Sequence, residues 1–435
     1  MKLSKYIITT SIADEKDAKS TSQTIIYSCL SNQTIVITND VFRKITNGDF
    51  HMLDKRLITE LQNSNILISK DNDEIVELLG HEKLIDDNIS LFLNLVESCQ
   101  SGCNSCSKYY DISKSGNEFV SSINNFIENR LIKKDLKTFL LTWKVDDPIE
   151  YFETMLSISI SNLKIADKKD LFYSSSLICH GIFLTEEVFK SLFKLCSIKK
   201  YHISLECSNS EATESTIMNI LSILENFPFL PQDGIIFEVN IKSFDIAHAI
   251  EIIDRFSRAE AQNRITFKFE FVENEYVSQD ILAENETECL FYAIENGFIQ
   301  SILPTRVILP CAAADSDSVS VDKDGNLFSC NALPLSTTDI ISRNLIGNIN
   351  QDFKDHSPET KFRKWLHDLA ENMPICYNCN LLPVCGGGCL LKREEGISSG
   401  CPSFKYNIED RLLISYLNQK SHFNECIIEY YKPLF

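Results

Sequence analysis

The stretch Cys376-Tyr-Asn-Cys379-Asn-Leu-Leu-Pro-Val-Cys385-Gly-Gly-Gly-Cys389 sets four thiols and three consecutive glycines within fourteen residues. So dense a run leaves few side chains for a hydrophobic core, and packing within the stretch cannot hold it. Disulfides would need an oxidising compartment. The chain opens Met1-Lys-Leu-Ser-Lys5, then Tyr-Ile-Ile-Thr-Thr-Ser-Ile-Ala and Asp-Glu-Lys-Asp. That opening lacks the sustained apolar core and small-residue cleavage site of a secretory signal. The thiols are therefore expected to be metal ligands in a reducing cytoplasm. The glycines at 386–388 fit this reading, because backbone without Cβ can wrap a bulky inorganic cluster and turn N–H groups toward its sulfurs.

Outward from this stretch, ten of the sixteen cysteines fall into spaced groups: Cys99, Cys103 and Cys106; Cys311 and Cys330; Cys376, Cys379, Cys385 and Cys389; and Cys401. Cys29, Cys179, Cys196, Cys207, Cys289 and Cys426 stand alone. A small buried hydrophobe is the expected role of each lone cysteine.

A chain of 435 residues exceeds one ordinary core and predicts two or three domains. A net charge of −19 argues against a nucleic-acid partner, whose phosphates need a basic face. No apolar run reaches the length of a membrane helix, so no membrane association is expected.

Residues 1–85 read as a small β-plus-helix module of winged-helix character. Strands are expected at Tyr6–Ser11, Thr24–Cys29 and Thr34–Thr38, the last two joined by the hairpin residues Ser31-Asn32-Gln33. Asp40 is expected to cap a helix that Gly48 stops, a second helix runs from about Asp54 to Gln62, and Ile66–Ile68 is extended. The module suits either a structural cover or a peptide-docking unit.

Residues 86–305 change to strands alternating with helical stripes. Strands are expected at Ser90–Val96, Lys137–Trp143, Phe172–Cys179, His202–Leu205, Ile235–Ile241 and Ile265–Phe271. Helices are expected at Glu118–Leu131, Thr185–Cys196, Ala212–Glu225 and Ile246–Phe256. This alternation predicts an α/β fold with a parallel sheet, an open or partial (β/α)6 TIM-like barrel whose active groups sit at the C-terminal strand ends. Cys99 follows the first strand at that rim. In residues 306–435 a hairpin turning at Asp324-Gly325 leads to Cys330. Helices are expected at about Glu359–Asn372 and Asp410–Leu417.

The triplet Cys99-x3-Cys103-x2-Cys106 offers three thiolates to a four-iron cluster and leaves one iron open to a ligand. This spacing after a first barrel strand resembles the radical SAM superfamily, in which the open iron chelates S-adenosylmethionine and an electron cleaves it to a 5′-deoxyadenosyl radical. The C-terminal pattern resembles the SPASM domain: Cys311-x13-Gly325-x4-Cys330, then Cys376-x2-Cys379-x5-Cys385-x3-Cys389, then Cys401. SPASM proteins include enzymes that modify ribosomally made peptides or mature other enzymes.

The resemblance implies three 4Fe–4S clusters. One would be held by Cys99, Cys103 and Cys106, an auxiliary one by Cys311, Cys330 and Cys389, and a second auxiliary one by Cys376, Cys379, Cys385 and Cys401. It further implies a precursor peptide or protein substrate, a reductant such as a flavodoxin or ferredoxin, and Asp147, Ser204 and Asn240 as cofactor contacts.

The family's Gly-Gly-Glu-Pro, which holds the cofactor's amino group, is here Val145-Asp146-Asp147-Pro148. Its Asn-Gly step is His180-Gly181, the residue before the third cysteine is Ser105, and a frequent arginine on the fifth strand is Glu238. A carboxylate at 238 facing the cofactor's carboxylate is expected to repel it. These departures raise a second reading, a non-catalytic relative that keeps fold and clusters and assists an active maturase. A third reading, zinc on the paired thiols, remains for Cys376 to Cys389.

Overall fold

The computed structural model describes residues 1–12, 22–80, 88–96, 117–132, 136–206, 210–228, 236–243, 245–271, 277–307, 311–315, 317–332, 344–351, 373–394 and 400–422. The triplet Cys99, Cys103 and Cys106, the lone Cys207 and Cys426, Ser105 and the whole of the expected helix at 359–372 lie outside the described residues.

The N-terminal part begins with β1 (Lys2–Leu3), β2 (Ile7–Ile12), β3 (Gln23–Ser28) and β4 (Thr34–Thr38). β2, β3 and β4 form an antiparallel sheet, with Asn32 at φ 60° in the turn between β3 and β4. α1 (Asn39–Asn47) follows at once. Thr38, not Asp40, caps it: Thr38 keeps the extended backbone that an N-cap needs, and its Oγ1 accepts from Val41 N at 3.3 Å. Asp40 already lies inside the first turn, where it pairs with Lys44 at 2.7 Å. Gly48, at φ 80°, ends the helix as expected. α2 (Lys55–Asn63) starts after Asp54, whose carboxylate accepts from Arg56 N at 2.7 Å. β5 (Leu67–Ile68) pairs with β1, and α3 (Glu74–Gly80) follows.

The next strands are β6 (Asn88–Asn94), β7 (Thr138–Lys144), β8 (Phe172–Cys179), β9 (Ile198–Glu206), β10 (Ile236–Ser243) and β11 (Ile265–Phe271). All are parallel and lie side by side in sequence order. The helices α4 (Asn117–Ile132), α5 (Phe152–Lys169), α6 (Glu186–Leu195), α7 (Ser210–Asn226) and α8 (Ile246–Arg258) make the crossovers, and α9 (Gln279–Glu295) follows β11.

Two-residue alternation gives the sheet two unlike faces. One row in register, Leu93, Trp143, Leu177, Tyr201, Phe237 and Ile265, is buried across all six strands and belongs to the core shared with the helices. Each such large side chain contributes about 1.5–3 kcal/mol on burial. Trp143 Nε1 donates to Ser175 Oγ at 3.1 Å, so its polar edge is satisfied within that core. The opposite face carries Thr142, Lys144, Ser176, His202, Ser204, Glu238 and Asn240, all partly exposed.

The hairpin that turns at Asp324-Gly325 adds to the edge of this sheet. β12 (Ser318–Asp322) runs parallel to β6, with Val319 opposite Leu91 and Val321 opposite Leu93. β13 (Asn326–Phe328) and β14 (Leu345–Asn348) complete a nine-stranded sheet ordered β11-β10-β9-β8-β7-β6-β12-β13-β14. Val319 and Val321 continue the buried side of β6, and that apolar match holds the hairpin to the sheet edge.

The C-terminal part contains α10 (Pro374–Tyr377), α11 (Leu382–Cys385), α12 (Leu390–Glu394) and α13 (Phe404–His422), which spans the expected helix at 410–417. Leu381, Leu382 and Val384 share one core with Tyr6, Ile8, Ile25 and Tyr27 of the N-terminal sheet and with Ile408, Leu412 and Tyr416 of α13. The cysteine stretch therefore takes from the first strands the core that its own sequence lacks. A buried ion pair, Arg411 to Glu286 at 2.8 Å, ties α13 to α9. Among the described residues no helix is long and apolar enough to cross a membrane.

Candidate metal centre

Short helices and glycine turns bring distant thiols together. Cys376, Cys379, Cys385 and Cys401 all line one opening of about 350 Å³, which includes space open to solvent, with Leu381, Leu382, Arg393, Phe404 and Lys405 around it. The thiol of Cys385 is pushed up to about 11, chiefly by burial and further by Cys379, Cys401 and Cys376, while the backbone N–H of Gly387 draws it down. A metal bound here takes thiolate, so its binding releases these protons and strengthens as pH rises.

Four residues in left-handed backbone shape this opening: Gly386 at φ 62°, Gly387 at 104°, Gly388 at 81° and Gly400 at 67°. A Cβ on Gly388 would lie 2.2 Å from Gly400 O, and one on Gly400 would lie 2.4 Å from Cys389 O. The two segments meet through Cys389 N, which donates to Gly400 O at 2.7 Å. Only glycine permits this approach.

Two cations point at the sulfurs. Arg393 Nη2 donates to Cys376 Sγ at 3.2 Å and to Gly387 O at 2.8 Å, and Lys405 Nζ donates to Cys401 Sγ at 3.3 Å. Neither was singled out in the sequence, although each follows a cysteine of the motif by four residues. Among the described residues no three Cys, His, Asp or Glu side chains are placed to hold a single metal ion. Four thiols around one opening, with the Gly387 N–H and two cations on their sulfurs, form a donor set that suits an iron–sulfur cluster.

Cys311 and Cys389 lie near one another, and Cys330 packs on a small core that contains Ala313 and Leu390. Cys311 begins the turn Ala312–Ala314, and the backbone N–H groups of Ala313 and Ala314 reach its thiol. Partial desolvation of the sulfur raises that thiol although the residue is exposed, and Cys389, also exposed, adds to the rise, so the two sulfurs sense one another. The lone cysteines Cys29, Cys179, Cys196 and Cys289 are buried, with thiols pushed up by burial to about 12, 12, 11 and 12.

At the C-terminal strand ends, Leu95 N donates to Lys144 O at 2.9 Å, so the described chain nearest the Cys99 triplet stands at this edge. Asp147 Oδ1 is engaged locally, accepting from Ile149 N at 2.8 Å in the turn around Pro148. Its neighbour Asp146 is partly buried: among the described residues its buried Oδ2 has no hydrogen-bond partner, and His180 Nε2 lies 3.8 Å from Oδ1. Burial raises the Asp146 carboxyl to about 6, against a lowering by Lys144.

Ser204 and Asn240 face each other in register on β9 and β10. Asn240 Nδ2 donates to Glu270 at 3.1 Å, and its buried Oδ1 lacks a partner among the described residues. The orphaned acceptors on Asp146 and Asn240 suit a ligand that brings donors, such as an amino group.

Glu238 does not present a bare charge. Its Oε1 lies 2.6 Å from His202 Nδ1 and 2.9 Å from Lys268 Nζ. Burial alone would raise this carboxyl, but the bonds from His202 and Lys268 overcome it and hold the group at about 2. The expected repulsion is thereby offset. His202 and Lys268 escaped notice in the sequence because their pairing depends on the register of three adjacent strands.

No protein-family model matches the chain, and neither does any curated protein. Solved structures do. Native anSMEcpe with bound AdoMet and Cp18Cys peptide, a radical SAM anaerobic sulfatase maturase of the SPASM type, aligns at a TM-score of 0.52 with 15% identity. That alignment covers 77% of this chain and 99% of the other. Hexahistidine-tagged anSMEcpe with bound AdoMet gives a TM-score of 0.51 at 14% identity over 77% and 98% of the two chains. The likeness shows a shared fold, in agreement with the resemblance read from the cysteine spacing.

Proposed function

We propose that the chain is a radical SAM/SPASM iron–sulfur enzyme that modifies a ribosomally made peptide or a protein by hydrogen abstraction. One observation carries the reading: Cys376, Cys379, Cys385 and Cys401 line one opening, with the Gly387 N–H on Cys385 and two cations on Cys376 and Cys401. Peptide as the substrate class is supported by the maturase fold, whose solved relative holds both AdoMet and a peptide.

Three units are proposed: 1–85, a module that docks peptide; 86–305, the partial barrel; and 306–435, the auxiliary-cluster domain. Cys376, Cys379, Cys385 and Cys401 hold one auxiliary 4Fe–4S cluster; Cys311, Cys330 and Cys389 hold the other. Cys99, Cys103 and Cys106 hold the cluster that binds S-adenosylmethionine. Once bound, that pair supplies a 5′-deoxyadenosyl radical after reduction by a flavodoxin or ferredoxin. Ser204 and Asn240 orient the cofactor at the strand ends, and the Asp146-Asp147 pair receives its amino group. Lys268 and His202 hold Glu238 as a neutralised pair beside it.

A second reading, a catalytically inactive partner of another maturase, rests on the local bond of Asp147 and the engagement of Glu238. The two part on one assay. The anaerobically reconstituted, reduced protein is given S-adenosylmethionine, and 5′-deoxyadenosine is measured by mass spectrometry. The proposal expects product from the wild type and none from the triple Cys99, Cys103, Cys106→Ala variant. No product from fully cluster-loaded wild type, beside a working control enzyme, supports the inactive partner.

A further inference from the structure

The two cations on the thiols have a role beyond neutralising charge. We propose that Arg393 and Lys405 set the reduction potential of the cluster held by Cys376, Cys379, Cys385 and Cys401, raising it above what the thiolates alone would give. The inference rests on the reading of these four cysteines as cluster ligands and adds what tunes that cluster.

A four-iron cluster with four thiolates carries net negative charge, and reduction adds one more. A nearby positive charge therefore stabilises the reduced form more than the oxidised form, and hydrogen bonds to the sulfurs act in the same direction. Arg393 is suited to this because its guanidinium is charged at every accessible pH and its fork is fixed by several contacts. Nη1 donates to Met373 Sδ at 3.4 Å, while Nη2 donates to Cys376 Sγ at 3.2 Å and to Gly387 O at 2.8 Å.

The glycines make room for it. A Cβ on Gly400 would stand 2.9 Å from Arg393 Cγ and 3.0 Å from its Nε. The wall of the opening is thus arranged around an arginine as well as around a cluster. Lys405 reaches Cys401 from α13, on a different segment, with its ammonium 3.3 Å from Sγ. Two elements each deliver a cation to a different ligand of the same set, in a chain whose net charge is −19.

The test is a redox titration of the full chain, reconstituted anaerobically with iron and sulfide and followed by electron paramagnetic resonance. The signal missing from a Cys376→Ala/Cys379→Ala variant identifies the cluster in question. Lys405→Gln should make its reduction about tenfold less favourable, a midpoint lower by about 59 mV for one electron. Arg393→Gln should lower it further, and Arg393→Lys should restore most of the wild-type value, which a merely structural arginine would not require.

Wild-type midpoints in Lys405→Gln with full iron content overturn the inference, and that variant decides the matter should Arg393→Gln fail to load. If Cys376→Ala/Cys379→Ala loses no iron, the cluster reading and this inference fall together. If iron is lost but Lys405→Gln leaves the midpoint unchanged, only the tuning role fails.

Discussion

His202 Nδ1 and Glu238 Oε1 lie 2.6 Å apart across neighbouring strands, and Lys268 Nζ completes the group at 2.9 Å from the same oxygen. A carboxyl held at about 2 instead of 4.5 is worth roughly 3 kcal/mol of folding stability. Because the folded value is depressed, that contribution is complete above about pH 5 and is lost as pH falls toward 2. Glu238→Gln is expected to lower the stability of the apo chain by about 1–3 kcal/mol at pH 7. The gap to wild type should shrink as the medium is acidified from about pH 5. Urea denaturation at a series of pH values checks both; a gap independent of pH would contradict the assigned pairing.

Asp146 is the opposite case. Its carboxyl is raised from 3.8 to about 6, so the folded state favours the proton. Relative stability is then greatest below about pH 4 and falls as pH rises through about 6. Asp146→Asn should therefore stabilise the chain by about 1–3 kcal/mol at pH 7, with the gain vanishing below about pH 4. A thermal or urea midpoint that drops at pH 7 would contradict this.

Two glycines with almost the same φ separate conformation from contact. Gly48, at φ 80°, has nothing within 4 Å of an added Cβ, so Gly48→Ala should cost only about 1 kcal/mol. Gly388, at φ 81°, would drive a Cβ to 2.2 Å from Gly400 O. Gly388→Ala should cost several-fold more and remove about four irons from the reconstituted protein. Equal stability losses and unchanged iron in both variants would refute the cradle.

Much of the fold was legible because it rests on local pattern. The strands at 172–179 and 265–271 coincide with their alternation, and Thr185 and Asp54 cap helices where polar residues precede apolar stripes. β9 begins well before the expected His202. The register shifts there, with Ser175 opposite Ile198 and Ser176 opposite Lys200, so Lys199 interrupts the alternation, and its ammonium sits 4.6 Å from the Phe193 ring centroid. The serine and isoleucine alternation of Ser157-Ile-Ser-Ile160 hides the stripe of α5 in the same way.

The proposed site was read from cysteine spacing alone, and the structure adds that Cys376, Cys379, Cys385 and Cys401 line one opening. Its surroundings were not legible: the pairing of β12 with β6, the Tyr6 and Tyr27 core beneath Leu381, and the arginine on Cys376 are contacts between segments far apart in the chain. Asp147 was read by alignment to a motif; the structure shows it bonded to Ile149 N and shows a buried oxygen on its neighbour Asp146.

The central claim is that cysteines of this chain hold iron–sulfur clusters, and metal content tests it most directly. The anaerobically reconstituted wild type should carry about twelve irons with matching acid-labile sulfide, and Cys376→Ala/Cys379→Ala/Cys385→Ala/Cys401→Ala should carry about eight. Colourless protein with about one zinc per chain and no sulfide, or iron content untouched by the fourfold substitution, would contradict the account.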